Sequence, residues 1–425
     1  MTLLVFIGSL LLAMALGVPI AYALLVSGIA LMLQLDTFDA QILAQNLVEG
    51  ANSFPLLAVP FFMLAGEIMN VGGLSRRIVV LASALVGHVR GGLGYVVILA
   101  AVMMSALSGS AVADAAALAS LLLPMMIAAG HDPARSGGLI ASAGVIGPII
   151  PPSIGFVIFG VAGGVSVSKL FMAGIAPGLM MGLAIAITWW LVARKEGGAP
   201  PPKATMAQRL AAFRQATWAL VLPFIVLVGL KFGVFTPTEA AVVAAVYALL
   251  VSTLVYRELK WRDLYGVFAS AAKTTAVVMF LVAAAMVSSW LINIAQIPAQ
   301  LVTLLQPLLD DPKLLMFTIM VIVMLVGTAM DMTPTILILT PVLMPVIKAA
   351  GIDPVYFGVL FIMNAAIGLV TPPVGTVLNV VAGVGKLKMD AVTKGVVPFM
   401  IAELALMFLF VLFPQLVTVP ARWFY

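Results

Sequence analysis

The chain has 425 residues, of which 64% are hydrophobic and 9% charged, a formal net charge of +5 and a mean hydropathy of +1.23. These values exclude a soluble globular fold, and a basic excess in so apolar a chain is read through membrane topology, not as a nucleic-acid surface. The absence of cysteine excludes disulfides, Cys-ligated zinc and thiol nucleophiles.

Apolar runs long enough to cross a hydrocarbon core of about 30 Å recur along the chain, which predicts about ten to twelve membrane-inserted helical segments rather than a barrel. The first, Met1 to about Leu16, precedes every basic residue, the earliest being Arg76. Lacking a positive n-region, it reads as a retained helix that starts outside. The next helix ends at "QLDTFDAQ", a loop with acids and no Lys or Arg. Farther on, two apolar segments are interrupted at mid-depth, at Ser108-Gly109-Ser110 and at "GPIIPPSIG", Gly147 to Gly155. Backbone freed from helix hydrogen bonds persists in a membrane only where protein, ions or water satisfy it.

The stretch "ARKEGGAPPPKATMAQR" follows, and with Arg214 it carries five basic residues and one acid. That charge predicts a cytoplasmic linker over 194–214, between a first unit at 1–193 and a second at 215–425. A shift of 221 lays Pro124 on Pro345, Gly130 on Gly351, Asp132-Pro133 on Asp353-Pro354, Gly147 on Gly368, Pro151-Pro152 on Pro372-Pro373, Gly174 on Gly395 and Pro177 on Pro398. Coincident helix breakers identify two copies of one unit. The loop equivalent to "QLDTFDAQ" is "YRELKWRD", with Arg257, Lys260 and Arg262, so equivalent loops face opposite sides. The expected fold is an all-α polytopic inverted-topology repeat with two re-entrant helical hairpins and broken helices, an architecture that places substrate near the midplane. Parallel halves from a gene duplication are the alternative. Hairpin tips are expected near 105–114 and 327–335, and broken helices near 144–155 and 365–376.

In the second copy the interruptions are Thr328 to Pro334 and Gly368 to Thr376. Thr333-Pro334 has the form of an N-cap followed by proline at N1, and Ser110 can cap the helix beginning near Ala113. Helix N-termini at mid-depth favour an anion, while released carbonyls and hydroxyls suit a monovalent cation such as Na⁺. Asp331 is expected in a cation or gating role, because a mid-membrane carboxylate costs about 2.5 to 3.5 kcal/mol without one. Asp114 is open between a role at the site and capping the following helix. Isolated membrane serines and threonines more often pack or bond between helices, but here they recur at repeated breaks. Glu67, Glu239, Lys273 and Glu403 are expected at helix ends or snorkelling.

"SGSAVADAAAL", "GPIIPPSIGFVIFG", "SVSKLFMAGIAPG", "MDMTPTILILTPVLMP" and "GLVTPPVGTVLNV" resemble signatures of the large membrane subunit of tripartite ATP-independent periplasmic (TRAP) transporters, the DctM-like permeases. The resemblance implies a bacterial inner-membrane symporter in which Na⁺ drives uptake of an organic acid by an elevator-type mechanism. It also implies two partners, a small four-helix membrane subunit, expected as a separate chain, and a periplasmic substrate-binding protein. By that likeness Na⁺ is held by Ser108, Ser110 and Gly147 at the first tip and by Thr328, Asp331, Thr333, Gly368 and Thr371 at the second. Substrate is placed near Ser110, Ser153, Asp331 and Thr376. No cofactor besides the coupling ion is implied. No arginine lies beside any of the four breaks, so a carboxylate would be held by hydroxyls, helix N-termini or a bound ion. A membrane enzyme is disfavoured, with only His88 and His131 as histidines and neither H-E-x-x-H nor G-x-S-x-G present. An ion channel is disfavoured by the inverted repeat. A stand-alone Na⁺/dicarboxylate carrier is the runner-up.

Overall fold

The computed structural model describes residues 2–194 and 202–423. Residues 195–201 of the expected linker lie outside the described residues. The described residues are helical with no strand, and nine helices are long and apolar enough to cross a membrane, accompanied by six shorter apolar helices. The fold is an all-α, polytopic, inverted-topology repeat.

The copies agree in element order. The first opens with Thr2–Ala15 and Ile20–Gln34, and its central hairpin is Gly92–Ser108 with Ala111–Ala128. A broken helix follows, Pro133–Gly144 and Ile154–Gly163, and then the long Val167–Ala193. The second copy repeats this as the hairpin Pro312–Ala329 with Met332–Ala349, the broken pair Pro354–Gly368 and Thr376–Gly385, and Met389–Leu412. Ala111–Ala128 and Met332–Ala349 are offset by 221 at both ends. The copies differ where Ala40–Ala51, a 3₁₀ turn at Phe54–Leu57 and Ala58–Val71 in the first are answered by one 34-residue helix, Trp261–Ile294, in the second. Pro55 opens the 3₁₀ turn, where its missing N–H and fixed φ interrupt a continuous helix.

Local chemistry sets the helix starts. Asp132, just before Pro133, accepts from the Arg135 N–H, and Asp353, just before Pro354, accepts from the Val355 N–H, the N-cap and N1-proline arrangement. Thr205 with Gln208 and Thr236 with Glu239 form capping boxes, so Glu239 sits at a helix end. Lys273 is exposed.

Small residues let helices approach closely, as expected where lipid supplies no hydrophobic drive between them. A Cβ on Gly138 of Pro133–Gly144 would overlap the Gly395 backbone of Met389–Leu412. On the same crossing, Ser142 donates a hydrogen bond to Glu403 Oε1. Glu403 is 0% exposed and lies inside its helix, contrary to the expectation of a helix end or a snorkelling side chain. The Gly138–Gly395 approach makes it a helix-interface residue with its own donor. Elsewhere the Glu258 carboxylate ties Arg76 and Arg77 at 2.7 and 2.8 Å, and the Arg77 guanidinium lies 3.6 Å from the Tyr256 ring centroid.

Candidate functional site

The first hairpin turns at Gly109, which has φ +61. A Cβ there would strike the Pro152 carbonyl oxygen and come within 3.0 Å of Ser153 Cα, so the residue needs glycine both for its left-handed backbone and for its approach to the first break. Ser110 is the N-cap of Ala111–Ala128, its Oγ accepting from the Ala113 N–H at 3.4 Å. Ser108 Oγ donates to Asp114 Oδ1 at 2.5 Å and accepts from the Ser110 N–H. Asp114 is 1% exposed and its Oδ2 has no hydrogen-bond partner. A Cβ on Gly147 would lie 2.8 Å from that oxygen. Asp114 therefore does not cap the helix, but links the tip to the break at Gly147.

The second tip differs. Asp331, not Thr333, is the N-cap of Met332–Ala349, with Oδ1 accepting from the Met332 N–H at 2.8 Å. Thr333 and Pro334 fall inside the first turn, where a proline still lacks only an orphan N–H. The Asp331 carbonyl accepts from Thr335 Oγ1. Behind the tip, a Cβ on Gly368 would lie 3.0 Å from Gly327 Cα, and the Thr328 carbonyl accepts from the Val374 N–H at 3.4 Å. Thr371 donates to the Ile367 carbonyl.

The two breaks are alike in backbone, with cis peptides at Pro151–Pro152 and Pro372–Pro373, but unlike in exposure. Ile150 to Ser153 is buried throughout, whereas Pro372 to Val374 is exposed. Ser153 caps Ile154–Gly163 by accepting from the Phe156 N–H, and its Oγ donates to the Pro148 carbonyl at 2.5 Å. Thr376 follows the left-handed Gly375 and its hydroxyl is buried without a partner.

Both tips open on one cavity of about 410 Å³, within the size range of small-ligand sites. Ser108, Ser110, Asp331 and Thr333 line it together. Gly147 stands behind the first tip, and Thr328, Gly368 and Thr371 stand behind the second. Ser153 and Thr376 lie outside the described cavity wall. The facing wall comes from Ala58–Val71 and Trp261–Ile294, through Glu67, Asn70 and Thr274 among others. Glu67 is thus half-buried on the cavity, one turn before the C-terminal end of its helix. Among the described lining residues there are two acids, Glu67 and Asp331, and no Lys, Arg or His. Among the described residues no group of three His, Cys, Asp or Glu side chains could hold a metal ion.

An all-α polytopic fold with duplicated hairpin tips around one cavity defines a membrane transport permease. The chain belongs to the DctM family: the family model described as "Tripartite ATP-independent periplasmic transporter, DctM component" matches residues 7–416. It is 58% identical over 423 residues to the 2,3-diketo-L-gulonate TRAP transporter large permease protein YiaN of Escherichia coli (strain K12), covering 100% of both chains. It is 37% identical over 399 residues to the sialic acid TRAP transporter large permease protein SiaM of Vibrio cholerae serotype O1, covering 94% of this chain and 93% of that one. The crystal structure of the Alcanivorax borkumensis YdaH transporter superposes with a TM-score of 0.65 at 16% identity, over 91% of this chain and 89% of that one, a likeness of fold alone. The chain is accordingly a multi-pass permease of the bacterial inner membrane and not an enzyme.

Proposed function

We propose that the chain is the large permease of a Na⁺-coupled, binding-protein-dependent importer of a small organic acid, a carboxylate or sugar acid. It works by elevator-type alternating access, together with a small four-helix membrane subunit and a periplasmic substrate-binding protein. The observation that carries this reading is the charge of the cavity. A site for an anion that is lined by two acids and no base needs a co-bound cation, and helix N-termini supply the remaining positive potential. Ser110 and Asp331 open two such helices.

The first Na⁺ site is assigned to Ser108, Ser110 and the backbone at Gly147, with Asp114 Oδ2 as a donor that the sequence left undecided. The second is assigned to Thr328, Asp331, Thr333, Gly368 and Thr371. Substrate lies between them at Ser110 and Asp331, with Ser153 and Thr376 at the starts of the resuming helices. The relatives named for diketogulonate and sialic acid support an organic-acid cargo. Membership of a tripartite family weighs against the stand-alone carrier.

The test is reconstitution in liposomes with the small subunit, following uptake of labelled organic acid with and without a sodium gradient and the binding protein. Uptake that needs both supports the reading. Full uptake with neither sinks it.

A further inference from the structure

A second cavity, of about 650 Å³, adjoins the one at the hairpin tips. Glu67, Asn70, Ala113 and Ala116 line both, so the two spaces meet between Ala58–Val71 and Ala111–Ala128. Beyond that junction the hairpin wall continues outward to Ser120, a rise of about 10 Å from Ala113. The opposite wall continues through the turn at Gly73 to Arg76 and Glu258. A Cβ on Gly73, which has φ +76, would overlap Glu258 Oε2, so the glycine admits the carboxylate to this turn.

The charges along this path are unequal. Glu258 Oε1 is shared by Arg76 Nη2 at 2.7 Å and Arg77 Nη2 at 2.8 Å, one carboxylate against two guanidiniums. Arg77 is committed elsewhere too: its side chain is 17% exposed, donates from Nη1 to the Gly73 carbonyl and stacks on Tyr256. Arg76 is 62% exposed, donates to Glu258 and is the one base among the described residues lining the second cavity. An exposed ion pair of this kind is weakly held, and a guanidinium fork matches any carboxylate. At the junction stands Glu67, whose Oε1 accepts from Ser270 at 3.0 Å. An anion on this path is repelled at the junction and attracted at the outer end.

We propose that the second cavity is the cytoplasmic vestibule of the transport site and that Arg76 is its anion-steering residue, drawing a carboxylate out of the central cavity by exchange with Glu258. The proposal rests on the reading of the central cavity as an organic-acid site. Its sidedness comes from the surrounding charge. Tyr256 Oη donates to the Gln215 carbonyl at 2.7 Å, which sets the cluster beside the basic linker, and Arg257, Lys260 and Arg262 follow Tyr256 in the chain. The change of sign from Glu67 to Arg76 favours escape of a released anion over its return to the tips.

The test uses the permease with its small membrane subunit in membrane vesicles of known orientation. Because the chain has no cysteine, Ser120→Cys gives it a single thiol at an exposed position of the vestibule, and Ala116→Cys gives one at the junction. The probes are two membrane-impermeant methanethiosulfonates, the anionic ethylsulfonate and the cationic ethyltrimethylammonium. Both thiols are expected to react from the cytoplasmic face. In the Ser120→Cys chain, Arg76→Gln should lower the anion-to-cation rate ratio by about threefold or more, and Arg76→Lys should keep it. The contact between Arg77 and Glu258 is untouched by either change, so the turn is retained. A ratio unmoved by Arg76→Gln, including an equal slowing of both reagents, overturns the steering role. Reaction of either thiol from the opposite face alone overturns the vestibule. Neither readout uses cargo, so failure of the import reading shows separately, in the liposome uptake test.

Discussion

Ser108 and Asp114 close the first hairpin upon itself: the serine hydroxyl donates to Asp114 Oδ1 at 2.5 Å, and Asp114 Oδ2 is left without a partner beside Gly147. A buried carboxylate oxygen with no donor is expensive unless something else satisfies it. In the proposed first sodium site, that something is the ion.

Asp114→Asn is therefore expected to raise the sodium concentration for half-maximal uptake. A hydrogen-bond-like contact to a charged group is worth roughly 1.5 to 3 kcal/mol, which corresponds to a shift of about tenfold to a hundredfold. Sodium titration of uptake in liposomes measures it. An unshifted midpoint would return Asp114 to a packing role.

Asp331→Asn separates capping from ion binding. Asparagine caps a helix about as well as aspartate, so the hydrogen bond to the Met332 N–H survives and the melting temperature should hold. Uptake and apparent sodium affinity should fall. Normal uptake with normal sodium dependence would leave Asp331 as a cap alone.

Gly109→Ala and Gly130→Ala form a matched pair. Both glycines have positive φ, but a Cβ at Gly130 meets nothing within 4 Å, while one at Gly109 strikes the Pro152 carbonyl. The left-handed conformation alone costs about 1 to 2 kcal/mol. Gly130→Ala should show only that penalty in thermal unfolding, and Gly109→Ala should lose more stability and most of its uptake. Equal behaviour would mean that the contact between tip and break is unimportant.

Ser142→Ala removes the donor that serves the buried Glu403 carboxylate. Leaving a buried polar group unsatisfied costs about 1 to 3 kcal/mol, more if it is charged. Melting in detergent should drop accordingly, and Glu403→Gln, which keeps an acceptor for Ser142, should drop less. No change for Ser142→Ala would show that the crossing at Gly138 and Gly395 holds without the polar pair.

The repeat was legible because glycine and proline leave their mark whatever surrounds them, so Ala111–Ala128 and Met332–Ala349 could be aligned from punctuation alone. The cap of the second hairpin was not. Thr333-Pro334 carries the usual signal, yet Asp331, two residues earlier, takes the N-cap with its stronger acceptor. The cavity beside Glu67 and the full burial of Glu403 were not legible for a different reason. In a helix apolar on every side, periodicity does not distinguish the face toward lipid from the face toward protein, and only the neighbouring Ser270 and Ser142 decide it. Asp114 needed its partner across the closed tip, six residues back. The unbroken Trp261–Ile294 opposite the Phe54–Leu57 interruption is a divergence between copies that the shared breakers do not record.

The unequal exposure of the two breaks turns the chain into its own reporter. With no cysteine to remove, Val374→Cys places a lone thiol on the exposed break and Ile150→Cys places one within the buried break. A water-soluble thiol reagent should modify the first quickly and the second slowly in this conformation. In the proposed alternating-access cycle, a ligand or gradient that inverts that ranking would report the opposite-facing state without the need to trap it.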